Sequence, residues 1–566
     1  MEQSPHQPSL NAPRHPKIKP IILRNCQPTL IDKKHLPKSI KSLSRNSTKI
    51  NSIPSTSEEQ TPQHFKRFIK TFQTQDTLRH SNYAMYYKTP FQNNSFSSRM
   101  KNLSSLSSFD LRLRGNKGTR VLFKNLASFK NLHDFEIHFD FYEFRGSNNL
   151  HLLCKSLLHL KQLTSLSFHI FSSINFGSTH LETFSLYLQK LTTLHSLSLS
   201  IGESMGDDNY WIETVTPALP KLTSLTQIDI HFERTRMTHA NSLVDLFRAF
   251  STIKTLTNIT LDLSFCSIPL EDNTIEPLAE GIQCLNPSLI RVLKIFPNEN
   301  LTDEGLIQLS QALNKFTALQ VFHLGLYRPI KITDMGVTEL TATLSRLVSL
   351  ISFSLSFYPP SHAQKTVQSI ASALMFLQNL IYLKLGFHGN NTTHDQVEEL
   401  SSSLRILKPS LQFLEISLAI QKSLTDSTVE DLSETIKELT LLKHLTLSFA
   451  LVSKVTVQGL EALCLAIQQL SNLSFLALDF SQNTEINEIH ALSQVIRNMP
   501  SLDSVDFRFM RCSQLHEGKN GFQCLFTALK EVDNIRRVSL SIPRSDQNFN
   551  EVDNLSRIKN VQISWF

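Results

Sequence analysis

The sequence predicts an α/β solenoid, curved like a horseshoe, with a parallel sheet on the concave side and helices on the convex side. Two repeating patterns predict this fold. The pattern Leu-x-x-h-x-h-x-h, in which h is apolar, begins at Leu411, Leu442 and Leu473, with a period of about 31 residues. Ahead of these copies, apolar residues spaced by 3, 4 and 3 positions mark one face of a helix.

The strand half of the repeat is clearest at Leu350, which is followed by Phe353, Leu355 and Phe357. Side chains alternate along a strand, so the three apolar residues after Leu350 point to one side and the residues between them to the other. The predicted copies begin at Leu106, Leu132, Leu163, Leu194, Leu225, Leu256, Leu289, Leu319, Leu350, Leu380, Leu411, Leu442, Leu473, Leu502, Ile535 and Ile558.

The helix half of the repeat has an apolar stripe and an N-cap. Ahead of Leu350 the stripe consists of Val337, Leu340, Leu344 and Leu347. Several of these helices follow a Thr-Asp pair, which is typical of an N-cap: Thr302-Asp303, Thr333-Asp334 and Thr425-Asp426.

Two copies depart from the pattern. Pro217 and Pro220 predict that the helix ahead of Leu225 is broken. In the copy at Leu289, Lys294 falls on an inward position, and a one-residue bulge there would turn Leu293 and Ile295 inward instead.

Neighbouring repeats must stack, because no single strand and helix can bury its own apolar face. Strands lie about 4.8 Å apart and packed helices about 8–10 Å apart, so the stack is expected to curve toward the sheet.

The run Thr302-Asp303-Glu304-Gly305 and its counterpart beginning at Thr333 resemble the ribonuclease-inhibitor type of leucine-rich repeat, including its ciliate-type members. The resemblance spans roughly residues 100–566. It implies the solenoid fold, within a family that includes inhibitors, GTPase activators, immune sensors and ubiquitin-ligase receptors. The family asparagine at the ninth position is replaced here, for example by Ala419, so we expect longer and more variable loops after the strands.

The domain organisation follows from composition and charge. Residues 1–60 are predicted to be a disordered basic tail, residues 61–99 a partly ordered lead-in with a short helix, and residues 100–566 a solenoid of about 16 repeats. Residues 1–100 hold 16 Lys and Arg against 5 Asp and Glu. The tail is therefore a candidate contact for nucleic acid or an anionic surface, although a solvated tail is the simpler interpretation.

Cysteine usage and hydropathy bear on the compartment. The seven cysteines are scattered without metal-binding spacing, which is typical of thiols in a reducing compartment. The sequence shows no secretory signal and no apolar run long enough to span a membrane. We therefore expect a cytoplasmic protein, with the nucleus as the alternative.

No catalytic constellation, phosphate-binding loop or metal motif is found in the sequence. We therefore expect no enzyme activity, no cofactor, no metal and no small-molecule substrate. Function should lie instead in the residues that alternate with the core positions along each strand.

Two candidate sites lie among those residues. At the third position, four consecutive copies present Tyr382, Phe413, His444 and Phe475, which should stack as neighbours across the sheet. This row is either a partner-binding surface or a set of rings that pack on each other, on a loop or on the tail. A secondary polar patch on the concave face consists of His138, His169 and His231 at the seventh position.

The histidine patch has two interpretations. Adjacent histidines can bind a metal or sense pH. The spacing supplies no third ligand, so a solvated polar face is the simpler expectation.

The sequence therefore predicts a non-catalytic scaffold that binds a protein partner on the concave face. The alternative is a regulator of an enzyme, with a GTPase-activating role or a role as a ubiquitin-ligase substrate receptor.

Overall fold

The computed structural model describes the chain from residue 106 onward. The described ranges are 106–113, 119–140, 148–171, 177–202, 208–232, 241–264, 275–297, 301–326, 332–357, 365–389, 392–516, 521–542 and 560–565, together with Leu555 and Ile558. The predicted tail at 1–60 and lead-in at 61–99 lie outside these ranges.

The described residues form one sheet of sixteen parallel strands, and the order of the strands in the sheet is their order in the chain. This confirms the predicted α/β leucine-rich-repeat solenoid. The strands are β1 (Ser108–Leu113), β2 (Asp134–Asp140), β3 (Ser165–Phe171), β4 (Ser196–Ile201), β5 (Gln227–Phe232), β6 (Asn258–Asp262), β7 (Val292–Phe296), β8 (Val321–Leu326), β9 (Ser352–Phe357), β10 (Tyr382–Phe387), β11 (Phe413–Ser417), β12 (His444–Ser448), β13 (Phe475–Asp479), β14 (Ser504–Arg508), β15 (Arg537–Ile542) and β16 (Asn560–Trp565).

A helix separates each pair of consecutive strands from β1 to β15, and each of these helices packs against the next. None of the described helices is long and apolar enough to cross a membrane. The helices are α1 (Thr119–Leu126), α2 (Asn148–Leu157), α3 (Ser178–Leu188), α4 (Asp208–Val215), α5 (Asn241–Thr252), α6 (Ile275–Cys284), α7 (Asp303–Leu313), α8 (Asp334–Leu344), α9 (Thr366–Leu374), α10 (His394–Ile406), α11 (Asp426–Ile436), α12 (Val457–Ile467), α13 (His490–Asn498) and α14 (Phe522–Glu531).

The core lies between the sheet and the helices, as the two apolar patterns predict. In β9, Phe353, Leu355 and Phe357 are each 1% exposed, and the stripe of α8 is buried against the same cluster. The serines between them are only partly buried. This alternation confirms that Leu350 and the three apolar residues after it belong to the core.

The two irregular copies behave differently from each other. The helix ahead of Leu225 is broken as predicted, because α4 ends at Val215 and a 3₁₀ helix, Thr216–Lys221, follows it. The predicted bulge at Lys294 is wrong. Strand β7 pairs in regular register with β6 and β8, and the extra residue lies ahead of the strand, so that Ile290 is buried and Leu289 is only partly buried.

The Thr-Asp-x-Gly run that begins at Thr302 joins its repeat to the next one. The Thr302 side chain caps α7 by accepting a hydrogen bond from the Gly305 amide. Asp303 then reaches the following repeat, where it accepts hydrogen bonds from the amides of Thr333 and Gly336 at 2.8 and 3.0 Å. A Cβ at Gly336 would lie 2.5 Å from the Asp303 carboxylate, so glycine leaves room for the aspartate of the preceding repeat.

The segments between strand and helix vary in length, for example 114–118 after β1, 418–425 after β11 and 509–521 after β14, as the sequence predicts. The loops after β11 to β14 share a residue with a left-handed backbone: Ile420, Leu451, Gln482 and Arg511. Backbone hydrogen bonds continue between these loops, for example from the Ile420 amide to the Ala450 carbonyl at 2.8 Å. Asn483, two residues beyond the family's asparagine position, donates to the Val452 carbonyl, so a buried amide still links two loops.

Candidate interaction surface on the distal face of the sheet

The side chains that alternate with the core residues form a second face of the sheet, turned away from the helices. We call it the distal face; it corresponds to the concave face predicted from the sequence. Because neighbouring strands are paired in register, the third, fifth and seventh positions of the copies form three rows across the sheet, with the copy on β7 counted from Ile290. One row runs through Ser352, Tyr382, Phe413, His444 and Phe475.

The aromatic row, defined as Tyr382, Phe413, His444 and Phe475, lies on consecutive strands β10 to β13. Its ring centroids are 6.3, 5.9 and 4.1 Å apart in that order, and the rings of His444 and Phe475 are stacked at an angle of 10°. The four residues are therefore brought together as neighbours, and each ring packs against the next.

All four rings remain partly accessible to solvent. The His444 side chain, for example, is 26% exposed. Packing within the row is thus part of the structure, and it does not remove the row from solvent.

His323 extends the row beyond β10 and was missed from the sequence. It lies on β8, at the fifth position of the copy that begins at Leu319. The centroid of its ring is 6.0 Å from that of the Tyr382 ring, and the two ring planes form an angle of 29°. The two rings meet across the intervening strand β9, because the side chain of Ser352 on that strand is small. The Ser352 Oγ atom lies 3.0 Å from His323 Nε2. A small residue between two aromatic strands was the signal for this diagonal contact.

Glu415 is the polar centre of this region. It accepts a hydrogen bond from the Tyr382 hydroxyl at 3.1 Å and forms an ion pair with Lys384 at 2.8 Å. Burial, together with the nearby Glu415 carboxylate, raises the pKa of Tyr382. Burial and the nearby Lys384 ammonium group hold the pKa of His444 below its usual value. The aromatic row is therefore uncharged at neutral pH, and the ion pair of Lys384 and Glu415 lies beside it.

The predicted histidine patch is divided by the structure. His138 and His169 are paired in register on β2 and β3, with stacked rings 4.4 Å apart at an angle of 11°. His138 is only 8% exposed, which is more buried than a solvated patch would be. His231 lies two strands beyond His169, on β5, and belongs to a different group.

Two carboxylates join the histidine pair. The His138 Nε2 atom lies 2.5 Å from Glu136 Oε1 and 3.7 Å from Asp110 Oδ1, and His169 Nε2 lies 3.7 Å from the same Glu136 oxygen. Arg112 lies 3.6 Å from Asp110. We call Asp110, Glu136, His138 and His169 the histidine–carboxylate cluster. The sequence signal was present, because Glu136 and His138 are two residues apart on one strand and therefore share a face.

The electrostatics of this cluster follow from its burial. Burial and the neighbouring Glu136 carboxylate raise the pKa of Asp110. The hydrogen bond with His138 lowers the pKa of Glu136. Burial and the adjacent His138 lower the pKa of His169 to about 4, so that His169 is neutral at physiological pH.

The third histidine of the patch pairs with a carboxylate of its own. His231 Nδ1 lies 3.6 Å from Asp262 on β6. Burial alone would raise the pKa of Asp262, but hydrogen bonds from His231 and Ser264 bring it below the usual value. This pair lies on β5 and β6, apart from the stacked histidines of β2 and β3.

At the C-terminal end of the sheet, arginines and aspartates pair with each other. Arg508 lies 2.8 Å from Asp506, and Arg537 lies 3.5 Å from Asp503. The charges at this end of the sheet are therefore mixed in sign, which does not resemble a nucleic-acid footprint.

Comparison with known proteins gives structural neighbours only. No protein-family model matches the chain, and no curated protein matches it. One similar structure is the crystal structure of a TLR13–ssRNA13 complex, at 14% identity and a TM-score of 0.40 over 82% of this chain and 63% of that one. This chain thus spans less than two thirds of the TLR13 chain. Another is the Rad7 and Elc1 complex of yeast, at 17% identity and a TM-score of 0.35 over 65% of this chain and 89% of that one.

At these scores neither neighbour carries an argument, and the assignment rests on the repeats themselves. The repeated strand–helix unit, its apolar positions and the sixteen-stranded parallel sheet identify the chain as a leucine-rich-repeat protein.

Proposed function

We propose that this protein is a non-catalytic scaffold for protein–protein interaction and that its partner binds the distal face across the aromatic row. One observation carries the proposal. From His323 on β8 to Phe475 on β13, five rings form a continuous ladder with partly exposed side chains.

The ladder suits binding because its side chains are already ordered. Immobilising a mobile side chain at an interface costs about 0.5–1.5 kcal/mol. Here the parallel strands fix the backbone, and each ring is held by its neighbours. Aromatic residues also dominate the energetic centres of interfaces.

The chemistry of the surface limits the kind of partner. The rings are uncharged at neutral pH, and the ion pair of Lys384 and Glu415 lies among them. Such a surface favours a partner segment that presents apolar side chains together with a few polar groups. Electrostatic steering by this region would be weak, since its central charges are paired.

The ribonuclease-inhibitor type of repeat remains part of the proposal, supported by the Thr-Asp-x-Gly contacts between repeats. The alternative role, regulation of an enzyme by GTPase activation or as a ubiquitin-ligase substrate receptor, would make the same surface a docking site. Binding of nucleic acid or an anionic surface by residues 1–60 is a separate and weaker proposal. Deletion of those residues would abolish salt-sensitive binding if it holds.

The test compares partner capture by three full-length baits after proximity labelling in the native cell has supplied candidate partners. The baits are the wild type, the double variant Phe413→Ala/Phe475→Ala, and Phe376→Ala. Truncation of two central aromatic residues should weaken partner binding by more than about tenfold. Isothermal titration with the purified partner gives the dissociation constants.

Phe376 is a matched control because it is the same residue type, 58% exposed, in the turn between α9 and β10. Its truncation should leave binding unchanged, and circular dichroism should show that all three proteins are folded. Equal capture of the same partners by all three baits would mean that the aromatic row is structural. Ligase subunits among the captured proteins, or accelerated GTP hydrolysis by a captured GTPase, would favour the enzyme-regulator role.

A further inference from the structure

The histidine–carboxylate cluster has a property that the proposed scaffold function does not use. Glu136, His138 and His169 each offer one ligand atom, and the three atoms all lie within 4.8 Å of one another. Among the residues that the structure describes, this is the one such group of three. The sheet fixes it, because β2 and β3 are hydrogen-bonded neighbours in a set register.

The distances are close to those that a metal ion requires. Zinc ligands at about 2.0–2.2 Å from a tetrahedral ion lie about 3.3 Å from one another. The Glu136 Oε1 atom lies 2.5 Å from His138 Nε2 and 3.7 Å from His169 Nε2. Rotamer adjustments of roughly 1 Å would therefore bring these atoms to ligand spacing.

Asp110 brings a second carboxylate to the same place. It is paired in register with Glu136 across β1 and β2, and its Oδ1 atom lies 3.7 Å from His138 Nε2. The Asp110 side chain is 14% exposed and the Glu136 side chain 39% exposed, and two carboxylates on neighbouring strands favour a cation close to them. Arg112 opposes this, since it lies 3.6 Å from the other oxygen of Asp110 and compensates part of the negative charge.

We propose that Glu136, His138 and His169 bind a zinc-class divalent ion, with the fourth position open to water. Two imidazoles select a first-row transition metal, because calcium and magnesium prefer oxygen ligands alone. On binding, His138 takes the tautomer that carries its proton on Nδ1, so that Nε2 can bind the ion, and the hydrogen bond between His138 and Glu136 is replaced by two metal bonds.

The consequence of binding is a link between two neighbouring strands. In a stack of repeats each unit is held only by its neighbours. An ion bound by residues of β2 and β3 would tie two neighbouring repeats together through their distal side chains. This role does not depend on the aromatic row, so the failure of either proposal would leave the other standing.

The test is Zn²⁺ titration of full-length protein that carries no histidine tag and has been freed of metal by chelation. The wild type should bind one equivalent at this site, and His169→Gln should bind it more than about 100-fold more weakly. His231→Gln is the matched control, because it removes a histidine from the same row outside the cluster, and its binding should equal that of the wild type. Zinc should also raise the melting temperature of the wild type and of His231→Gln.

Two further measurements keep the test decisive. The spectrum of the Co²⁺-substituted protein should show nitrogen and oxygen ligands without a thiolate charge-transfer band, which excludes binding by the free cysteines. Glu136→Gln provides a second variant, should His169→Gln fail to fold, and should bind zinc as weakly. The proposal is overturned if the wild type binds no Zn²⁺, if Glu136→Gln binds it like the wild type, or if the bound metal has thiolate ligands.

Discussion

The distal face differs between strands β1 to β3 and strands β10 to β13, although both regions consist of parallel strands paired in register. On β10 to β13 its third positions are Tyr382, Phe413, His444 and Phe475, whereas on β1 to β3 they are Ser108, Asp134 and Ser165. On the side that faces the helices, both regions carry buried apolar residues at the same positions. The helix-facing side is thus uniform, and the variation is confined to side chains that do not form the core.

This contrast separates stability from recognition. Residues buried between sheet and helices must fill the same space in every repeat, so chemistry at those positions is restricted. Distal residues contact only their neighbours in the row, which allows stacked rings in one region and a histidine–carboxylate cluster in the other. If the separation is real, core substitutions should behave alike in the two regions.

The largest effect is expected from a matched pair of core truncations, Leu166→Ala on β3 and Leu414→Ala on β11. Both leucines occupy the fourth position of their copies and are 0% exposed. Each substitution leaves a cavity and should lower the free energy of unfolding by about 2–5 kcal/mol. Urea denaturation followed by circular dichroism measures both losses. A loss below about 1 kcal/mol in one region alone would show that the two cores are not equivalent.

A smaller effect should come from a titrating group in the aromatic region. Burial, with the nearby Lys294 and Lys384 ammonium groups, lowers the pKa of His323 to about 4. A histidine in the unfolded chain has a pKa of about 6.5. The unfolded chain therefore binds a proton more tightly than the folded protein, and the free energy of unfolding decreases as pH falls from about 6.5 to about 4. Between about pH 7 and about pH 5 this residue should account for a loss of about 2 kcal/mol.

Urea denaturation of the wild type and of His323→Gln at both pH values measures the difference. Glutamine does not titrate, so the variant should lose about 2 kcal/mol less than the wild type over this range. An unchanged pH dependence would indicate that the imidazole of His323 is protonated in the folded protein near its ordinary pKa.

Most of the architecture could be predicted from the sequence because the core positions are apolar and periodic. Leu350, Phe353, Leu355 and Phe357 are buried as the alternation requires, and Pro217 ends a helix, since it cannot continue the backbone hydrogen bonding. The order of strands followed from the period alone, because parallel neighbours in a solenoid are consecutive in the chain.

Features that depend on contacts between side chains of different repeats, or on where a loop absorbs an added residue, could not be predicted from the sequence. The extra residue ahead of Ile290 could not be placed, because one added residue can be absorbed in a loop as readily as in a strand. The aromatic row was correctly placed on neighbouring strands, but the diagonal contact with His323 depends on the small size of Ser352. Glu136 shares a face with His138 by simple alternation, yet its approach to His169 depends on side-chain rotamers.

The most direct test of the central claim is hydroxyl-radical footprinting of the full-length protein with and without its captured partner. Aromatic side chains are oxidised when they are accessible, and a bound partner shields them. The proposed function predicts that oxidation of Tyr382, Phe413 and Phe475 falls on binding while that of Phe376 is unchanged. Unchanged oxidation of the three row residues, with shielding of Phe376 or of the helices instead, would contradict the claim that the distal face binds the partner.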